Sequence, residues 1–377
     1  MYLFIKLKDL KSGDKMNVPK LRFLNFNNDY EIKEISDITY NVSSGKISKQ
    51  LEDGEYNVYG SMGIIGKSNF YDYTGEKVLV ARVGANAGSV NKINEKCCIS
   101  DNTLVLEPKN ILNDYLYYSL SHYDPKKLIF GSGQPLVTGG QLKKIKLGVP
   151  SKEEQVKVSN FLSLLDKKIE LQSKKIEDLK LFKKGLHNQL FNEIDGEDYL
   201  LSDIAKFENG KGHENIVDEN GNYILINSKF ISTEGSVIKN CSEQLTPLYK
   251  DDITMVMSDL PNGKALAKCY YIEFDNKYSL NQRICRISIK DKEEFNPKYL
   301  FYTLNRNPYY LKFDDGVNQT NLKKDDILNI NLNIPDKTIQ DKNANILTLI
   351  DKIINKELSK LDSLNSLKKG LIQNMFV

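Results

Sequence analysis

The chain has 377 residues, of which 40% are hydrophobic and 27% are charged, with a formal net charge of +3 at pH 7. This length allows two or three domains, each large enough to bury a core. The sequence contains no long uncharged apolar run, and its start lacks a signal-peptide pattern, so we expect a cytoplasmic protein without a membrane span. The five cysteines lack metal-ligand spacing and are expected to be reduced thiols.

The first part of the chain has the pattern of a mixed α+β unit with many short strands and glycine turns. A β-branched run at 77–83 leads into the turn RVGANAGSV, which we interpret as a hairpin connection because a strand-like segment follows it. The segment CCISDNTLVLEP, at 97–108, is typical of a hairpin-like pair of strands. An aromatic helix is predicted at 114–121.

After Pro150 the apolar period changes to 3.5, which is typical of a coiled-coil helix. A helix of about forty residues is roughly 60 Å long, and it cannot bury its apolar stripe without another helix. We therefore expect this helix to have a helical partner.

The second part of the chain repeats the first. DYLLSDIAKF matches EIKEISDITY, KYSLNQRICRISIK is again typical of a hairpin-like pair of strands, and KYLFYTLN matches the aromatic helix. The junction and long helix recur without gaps at an offset of 185, so that Gln134 matches Gln319 and Pro150 matches Pro335. A duplicated unit, each copy closed by a long helix, is what a functional interpretation must explain.

We predict that the two long helices pair antiparallel, in a register where Lys183 meets Glu357 and Gln172 meets Lys368. The alternative is that each helix packs on other protein with its polar positions exposed. Apolar residues beyond the seam are expected to pack on a partner protein or on the globular units; these are Phe161, Phe182, Leu358 and Leu367. The predicted seam residues are Leu165, Ile169, Gln172, Ile176, Leu179, Lys183, Leu186, Ile350, Ile354, Glu357, Leu361, Leu364, Lys368 and Leu371.

Enzyme signatures are mostly missing from the sequence. It has no GxxxxGK[ST] phosphate loop and no GxSxG elbow, and its histidines lie far apart. Asn307-Pro308-Tyr309-Tyr310 is a near match to the Asn-Pro-Pro-aromatic loop of amino-methyltransferases, but it lacks the second proline. We interpret it as a turn that ends a helix, which argues against a fused modification enzyme.

The chain resembles the DNA-specificity subunits of type I restriction-modification enzymes. The resemblance is carried by VPKLRF, RVGANAGSV, SDNTLVLEP and GQPLVTGGQLKKIKLGVPSKEEQ running into a helix that ends in KKGLHNQLF, and the second half repeats their order with weaker middle motifs. It implies an α+β fold in which two globular target-recognition domains are joined by two long antiparallel coiled-coil helices, as a pseudo-two-fold internal repeat. The implied segments are recognition domain 1 at 1–150, a spacer helix at 151–193, recognition domain 2 at 194–335 and a second spacer helix at 336–377.

The resemblance also implies a function without catalysis. Each domain would read one half of a bipartite double-stranded DNA target, while the helices set the spacer and dock two methyltransferase subunits, and a restriction subunit can join. No cofactor or metal is expected in this chain, because S-adenosylmethionine would belong to the partner methyltransferase. The alternative is a coiled-coil adaptor whose globular units bind proteins rather than DNA.

Polar residues in turns or at strand ends near glycines are the predicted DNA contacts, because amides and guanidinium groups read base edges while lysines and hydroxyls bind phosphate. Gln134 and Gln319 belong to the repeated framework, so we expect them to fix a junction or hold a phosphate. Arg82 lies in an apolar strand, which also fits a structural role. The predicted contacts in the first unit are Lys46, Lys67, Arg82, Asn86, Ser89 and Gln134. Those in the second unit are Lys211, Ser228, Lys229, Asn262, Lys264, Gln282, Arg283 and Gln319.

Overall fold

The computed structural model describes residues 5–7, 17–47, 51–60, 63–129, 133–192 and 195–377. Most of the N-terminal stretch, and Gly131-Ser132 of the first junction motif, lie outside the described residues. The chain forms two compact units, one made of residues 1–175 and 357–377 and the other of residues 176–356. Both long helices therefore contribute residues to both units, whereas the predicted segments gave each helix a segment of its own.

The first unit is built from short strands and few helices. Its strands are β1 (Ile5–Leu7), β2 (Leu21–Phe23), β3 (Glu31–Glu34), β4 (Thr39–Ser44), β5 (Tyr56–Gly60), β6 (Gly63–Ser68), β7 (Glu76–Ala81), β8 (Val90–Asn94), β9 (Cys97–Ile99), β10 (Thr103–Pro108) and β11 (Lys146–Val149). Its helices are α1 (Ile35–Ile38), α2 (Asn113–Tyr123), α3 (Gly139–Lys143) and the long α4 (Lys152–Asn192), which continues into the second unit.

The core of the first unit lies between the antiparallel sheet β4-β10-β7-β8 and the aromatic helix α2. Alternate residues of β7, such as Val78 and Val80, point into this core, while Leu79 between them joins a smaller cluster on the other face of the sheet. Tyr115 of α2 is fully buried, and its hydroxyl donates to the backbone oxygen of Gly148 at 3.1 Å. The buried tyrosine thus ties the helix to β11, next to the start of α4.

The second unit repeats this plan. Its strands are β12 (Glu197–Leu200), β13 (Ala205–Asn209), β14 (Tyr223–Ile226), β15 (Asn240–Cys241), β16 (Ile253–Val256), β17 (Ser258–Asp259), β18 (Cys269–Tyr271), β19 (Tyr278–Leu280), β20 (Ile284–Ile289), β21 (Thr320–Asn321) and β22 (Asn331–Ile334). Its helices are α5 (Leu201–Ile204), α6 (Ser228–Ser232), α7 (Pro297–Leu304), α8 (Pro308–Leu311), α9 (Lys324–Leu328) and the long α10 (Lys337–Met375), which continues into the first unit. The sheet β13-β20-β16-β18 corresponds to β4-β10-β7-β8.

The two predicted hairpin-like strand pairs do not form. In the first unit β9 pairs in parallel with β5, while β10 pairs with β4 and β7. In the second unit β19 pairs with β14, and β20 pairs with β13 and β16. Those predictions are wrong because a three-residue link, 100–102 or 281–283, carries the chain from one sheet to another. The turn RVGANAGSV does connect antiparallel neighbours, β7 and β8, as predicted.

In the first unit, α4 and α10 pair through polar side chains. The Gln172 amide donates to the backbone oxygen of Glu357 at 3.0 Å and to its carboxylate at 2.6 Å. Further along, the Lys368 ammonium lies 2.5 Å from Asp166 Oδ1, and the Tyr118 hydroxyl of α2 donates to Asp166 Oδ2 at 2.6 Å. The partner number on α10 rises as the number on α4 falls, so the helices run antiparallel here.

In the second unit, the same three residue types meet again. The Lys183 ammonium donates to Asp351 Oδ1 at 2.5 Å, and the Tyr302 hydroxyl of α7 donates to Asp351 Oδ2 at 2.7 Å. Asn343 donates to the backbone oxygen of Leu190 at 2.9 Å, which again shows an antiparallel pair. The Tyr-Asp-Lys triad therefore ties both long helices to the aromatic helix in each unit.

The predicted helix register is wrong. Lys183 pairs with Asp351, six residues before Glu357, and Gln172 pairs with Glu357 rather than with Lys368. The physical reason is that the Lys183 side chain points out of the seam and pairs with a carboxylate at the edge of the helix pair. There the side chains of Lys183 and Asp351 remain 29% and 33% exposed. A lysine-glutamate pair inside the seam would lose more hydration.

The predicted seam positions differ in how deeply they are covered. Some are buried: Leu165, Gln172, Ile176, Ile350, Ile354, Leu364 and Leu371. The others are half-buried: Ile169, Leu179, Lys183, Leu186, Glu357, Leu361 and Lys368. The polar members lie mostly in the second set, because their charged ends reach the solvent at the flank of the pair.

Candidate nucleic-acid interface

The turn between β7 and β8 is held in a conformation that needs glycine. Gly88 has a φ of +82°, and a Cβ atom there would lie 2.5 Å from the backbone nitrogen of Lys126. The Gly88 N–H donates to the Ala81 oxygen, and the Ala81 N–H donates to the Ser89 oxygen, each at 2.8 Å. Asn86 is therefore exposed on a turn whose backbone is fixed from both sides.

The first junction segment lies against this turn. The Val137 N–H donates to the Arg82 oxygen at 2.8 Å, and the Gly84 N–H donates to the Pro135 oxygen at 3.1 Å. Gln134 precedes Pro135, and its side chain is exposed. Residues that are far apart in the sequence thus reach one edge of the unit.

The link 100–102 completes the same edge. The Arg82 N–H donates to the Asn102 oxygen at 2.9 Å, and the Arg82 guanidinium lies 3.5 Å from the Asp101 oxygen. This long contact is the guanidinium's one hydrogen bond to a described residue. The Lys46 N–H donates to the Ile99 oxygen at 3.0 Å, and the Lys46 side chain is exposed. The backbone segments that carry Lys46, Arg82, Asn86 and Gln134 are accordingly linked by hydrogen bonds.

Two other predicted contacts of the first unit are placed differently. Lys67 lies on β6 in the second sheet, where its ammonium donates to the Asn57 amide oxygen at 2.9 Å. Asn57 in turn donates to Glu95 at 3.0 Å, so Lys67 belongs to an ordered network away from the turn. Ser89 ends the β7–β8 turn, and it is half-buried.

The corresponding turn of the second unit is held by an aspartate rather than by glycines. The Asp259 carboxylate accepts the N–H groups of Leu260 at 2.9 Å, Ala265 at 2.7 Å and Leu266 at 3.1 Å. From outside, the Arg306 guanidinium donates to the Leu266 oxygen at 3.3 Å. The turn carrying Asn262 and Lys264 is thus closed internally, and both side chains are exposed.

The second junction segment meets this turn as the first one does. The Leu322 N–H donates to the Met257 oxygen at 2.8 Å, the same bond as Val137 to Arg82 in the first unit. The Gln319 amide donates to the Ser258 hydroxyl at 2.7 Å, and the Asn262 amide donates to the Gly316 oxygen at 3.3 Å.

The remaining predicted contacts of the second unit lie on the link 281–283 or on segments next to it. The Met257 N–H donates to the oxygen of Arg283, whose side chain is exposed. The Lys211 N–H donates to the Leu280 oxygen at 3.3 Å, and the Gln282 amide bonds to the Glu214 carboxylate. The Asn281 N–H bonds to the Ile226 oxygen, just before α6, which carries Ser228 and Lys229.

Four segments therefore meet in each unit: the turn after the central strand, the sheet-crossing link, the glycine-lysine turn and the junction. The glycine-lysine turns are Gly45-Lys46 in the first unit and Gly210-Lys211 in the second. Exposed basic or amide side chains on three or more of them suit phosphate and base-edge contacts. Gln282, Gln319 and Lys67 already have protein partners. Which of these side chains contact DNA stays a prediction.

Two further residues, which are not among the predicted contacts, position these groups. Asp259 and Arg306 hold the second turn, although neither was among the predicted contacts. The sequence does contain a signal for Asp259, because aspartates commonly accept backbone N–H groups in turns and Pro-Asn-Gly follows two residues later. Arg306 gave no local signal, since it reaches the turn from the end of α7.

The near match to a methyltransferase loop is structural. Asn307 caps α8 by accepting the Tyr309 N–H at 2.9 Å, and its amide donates to the Thr303 oxygen at 2.9 Å. Tyr310 is fully buried and donates to the Ile327 oxygen. Within the described ranges, no group of three or more His, Cys, Asp or Glu side chains is arranged to hold a metal ion.

A comparison with protein families identifies the fold. The model of the type I restriction modification DNA specificity domain matches residues 5–181 and again residues 193–368. The chain belongs to this family. It is a specificity subunit of a type I restriction-modification system, and each match covers one recognition part and most of one long helix. In the part of the chain that the structure describes, no helix has the length and apolar character needed to cross a membrane.

Relatives of this specificity subunit occur in bacteria and archaea. It is 25% identical to the type I restriction enzyme MjaVIII specificity subunit of Methanocaldococcus jannaschii, over 98% of this chain and 95% of that one. It is 32% identical over 145 residues to a Mycoplasma pneumoniae protein that carries the name of a type I specificity subunit. That match spans 37% of this chain and 47% of the relative.

Solved structures show the same fold. The crystal structure of the type I S subunit from M. genitalium superposes with a TM-score of 0.66 at 18% identity, over 96% of this chain and 99% of that one. A chain from a structure of a type I restriction-modification complex superposes with a TM-score of 0.55 at 12% identity, over 91% of this chain and 96% of that one. The α+β architecture with long antiparallel helices is that of specificity subunits.

The long helices of the specificity subunit carry exposed apolar residues on one side. With the seam residues as heptad positions a and d, Asp166 and Asp351 fall at e, the side tied to the aromatic helices. Large apolar residues at c and g, the other side, are exposed. In the first unit these are Leu164, Leu171 and Leu367. In the second unit these are Leu349, Ile353 and Phe182.

We call these two sets the apolar patches. Each contains a helical glycine at a c position: Gly370 follows Leu367 by three residues, and Gly185 follows Phe182 by three. A Cβ atom at either glycine would meet nothing within 4 Å. Phe161, by contrast, packs edge-on against Phe23, with ring centroids 5.9 Å apart. It therefore packs on the globular part of the first unit, which is one of the two predicted alternatives.

Proposed function

We propose that each unit of this specificity subunit reads one half of a bipartite, asymmetric DNA sequence. The observation that carries the proposal is that the same four segments meet in both units while their exposed side chains differ. The first unit presents small residues and Asn86 on its turn, and the second presents Asn262 and Lys264. A shared framework with different side chains suits two different half-sites, because base edges are read by donor and acceptor positions.

We further propose that Arg82 and Arg283 read base edges, and that Lys46, Lys211 and Lys264 bind phosphates. Both arginines lie at a crossing link or next to one, with guanidinium donors left available. Arginine can bond two guanine acceptors at once, whereas lysine acts as a point charge on the backbone.

The long helices are proposed to set the spacer between half-sites and to dock two methyltransferase subunits. α4 has 41 residues and α10 has 39, so each is about 60 Å long, against about 34 Å for one turn of DNA. The two apolar patches support the docking of two methyltransferase subunits, because the patches correspond in the repeat: Leu164 matches Leu349, and Leu367 matches Phe182. Large exposed apolar patches commonly mark interfaces between proteins.

The chemistry is proposed to reside in the other chains. S-adenosylmethionine would be held by the methyltransferase subunits, which would modify adenines, and a restriction subunit could join this core to cut DNA. The residues of this chain would select the sequence and place it for those subunits.

DNA reading is tested with the chain co-expressed with a methyltransferase subunit. The complex should bind DNA with strong salt dependence, and mapping of methylated adenines in cells carrying the system should give a bipartite site. Arg82→Ala and Arg283→Ala should each weaken specific binding by about 5- to 150-fold, at different half-sites. Lys180→Ala, which removes a charge from an exposed lysine of α4, is the control. A complex without salt-dependent DNA binding would instead favour the adaptor function.

Docking is tested by counting subunits. Leu164→Asp and Leu349→Asp should each lower the stoichiometry from two methyltransferase subunits to one in native mass spectrometry, and the double variant should bind none. Leu181→Asp is the matched control, because Leu181 is an equally exposed leucine at position f, outside the patches. Two bound subunits on the double variant would rule out this docking surface.

A further inference from the structure

Two large aliphatic side chains are exposed to solvent at the candidate interface of the second unit. Leu260 is 69% exposed and Val317 is 76% exposed. They lie on neighbouring turns, since the Asn262 amide donates to the Gly316 oxygen at 3.3 Å. The corresponding turn of the first unit carries Ala85 and Asn86 in place of Leu260.

The backbone under each side chain is fixed. Leu260 donates its N–H to Asp259 at 2.9 Å, and its oxygen accepts the Gly263 N–H at 2.9 Å. Val317 donates its N–H to Asp315 at 2.9 Å. Bonds from the N–H groups of Asn318 and Val317 hold the pKa of the Asp315 carboxyl down at about 2, so the carboxylate is ionised and accepts hydrogen bonds at neutral pH.

The surroundings decide what kind of ligand these side chains suit. Exposed Asn262, Lys264 and Arg283 lie on the same turn or on the link bonded to it. An apolar protein surface would leave the Lys264 and Arg283 side chains unpaired on burial, at a cost. The major groove of DNA offers phosphates and base acceptors together with one apolar group, the C5-methyl of thymine.

We propose that Leu260 and Val317 contact thymine methyl groups in the major groove and thereby select thymine in the half-site read by the second unit. The proposal rests on the proposed function, because it requires that this edge faces DNA. Burial of one methyl group is worth about 0.8 kcal/mol, which corresponds to about a fourfold change in affinity.

The test replaces each thymine of the mapped half-site, one at a time, by deoxyuridine, which lacks only the methyl group. With the wild-type complex, substitution at one or two positions should weaken specific binding about fourfold. In Leu260→Ala or Val317→Ala, the DNA with thymine should bind more weakly and the uracil substitution at the corresponding position should have no further effect. Phe274→Ala is the control, because Phe274 is also exposed but follows β18 at the opposite end of the strands.

The two proposals fail differently. Indifference to uracil at every position, or additive effects of the protein and DNA changes, would overturn the thymine contact while specific binding persists. A half-site without thymine would also overturn it. If the wild-type complex shows no specific DNA binding, the proposed function itself is overturned.

Discussion

Replacement of Gly185 by alanine should change the stability of the free chain and its assembly in opposite directions. Gly185 lies inside α4, is exposed, and has no atom within 4 Å of the position of a Cβ. Alanine should therefore stabilise the helix by about 0.8–1.0 kcal/mol, the difference between glycine and alanine in a helix interior. Among the described residues, no clash at this position offsets the gain.

The same Cβ would intrude on a methyltransferase subunit seated on the patch. Overpacking a close contact costs about 1–3 kcal/mol, so binding at the second patch should weaken by about 5- to 150-fold. The presence of glycine at the matching site, Gly370, fits a requirement for close approach. Gly370→Ala should accordingly weaken binding at the first patch.

The assay combines denaturant unfolding of the free chain with calorimetric titration of the methyltransferase subunit. Asn188→Ala is the matched control, because Asn188 is an exposed α4 residue at position f whose replacement also raises helix propensity. It should stabilise the chain and leave assembly unchanged. If Gly185→Ala stabilises the chain and binds the subunit as well as wild type does, the glycine makes no contact and the reasoning fails.

Three further changes test the framework. Asp351→Ala should lower the free energy of unfolding by about 2–3 kcal/mol in a urea titration, because the buried Tyr302 hydroxyl loses its main acceptor. Tyr302→Phe removes the donor as well and should lower the free energy of unfolding by about 1 kcal/mol. Equal costs for the two variants would contradict this account. Gly88→Ala should cost at least about 2 kcal/mol by the same measurement, since its Cβ meets the Lys126 backbone; an unchanged midpoint would show that the turn can shift. Hydrogen bonds from Gln172 and Lys175 lower the pKa of Glu357 to about 2. The contribution of Glu357 to stability should therefore be present above about pH 4.5 and be lost as the pH falls toward 2. Glu357→Gln should flatten the pH dependence of the unfolding free energy in that range, and an unaltered profile would refute this assignment.

The duplicated helices and the mixed α+β units could be predicted from the sequence because their signals are periodic or repeated. The 3.5 period of α4 and α10 and the match of Tyr115 to Tyr299 survive in both copies. The long helices run within one residue or two of the predicted bounds. These features depend on local patterns, which one sequence displays fully.

The register and the strand pairing depended on choices that the local pattern leaves open. Seam positions alone paired Lys183 with Glu357, whereas the decisive groups were Asp351 and Tyr302, which lie outside the a and d positions. Adjacent strands also suggested hairpins, yet the parallel pairing of β9 with β5 requires a segment forty residues earlier. The positioning role of Arg306 was hidden for the same reason, because it acts on a turn forty residues away.

The pattern of contacts between the long helices has a consequence for how such chains can change. Replacing each residue by its counterpart in the other copy turns the Lys183–Asp351 pair into the Lys368–Asp166 pair. The same replacement maps the Gln172–Glu357 pair onto the same two positions, because each of these residues is the counterpart of the other. Recombination between matching points of the copies would therefore preserve the lysine-aspartate bridges while exchanging what each unit reads. The central Gln172–Glu357 pair, in contrast, differs between the copies. A chain with glutamate at both places would set two carboxylates against each other, and one with glutamine at both would not.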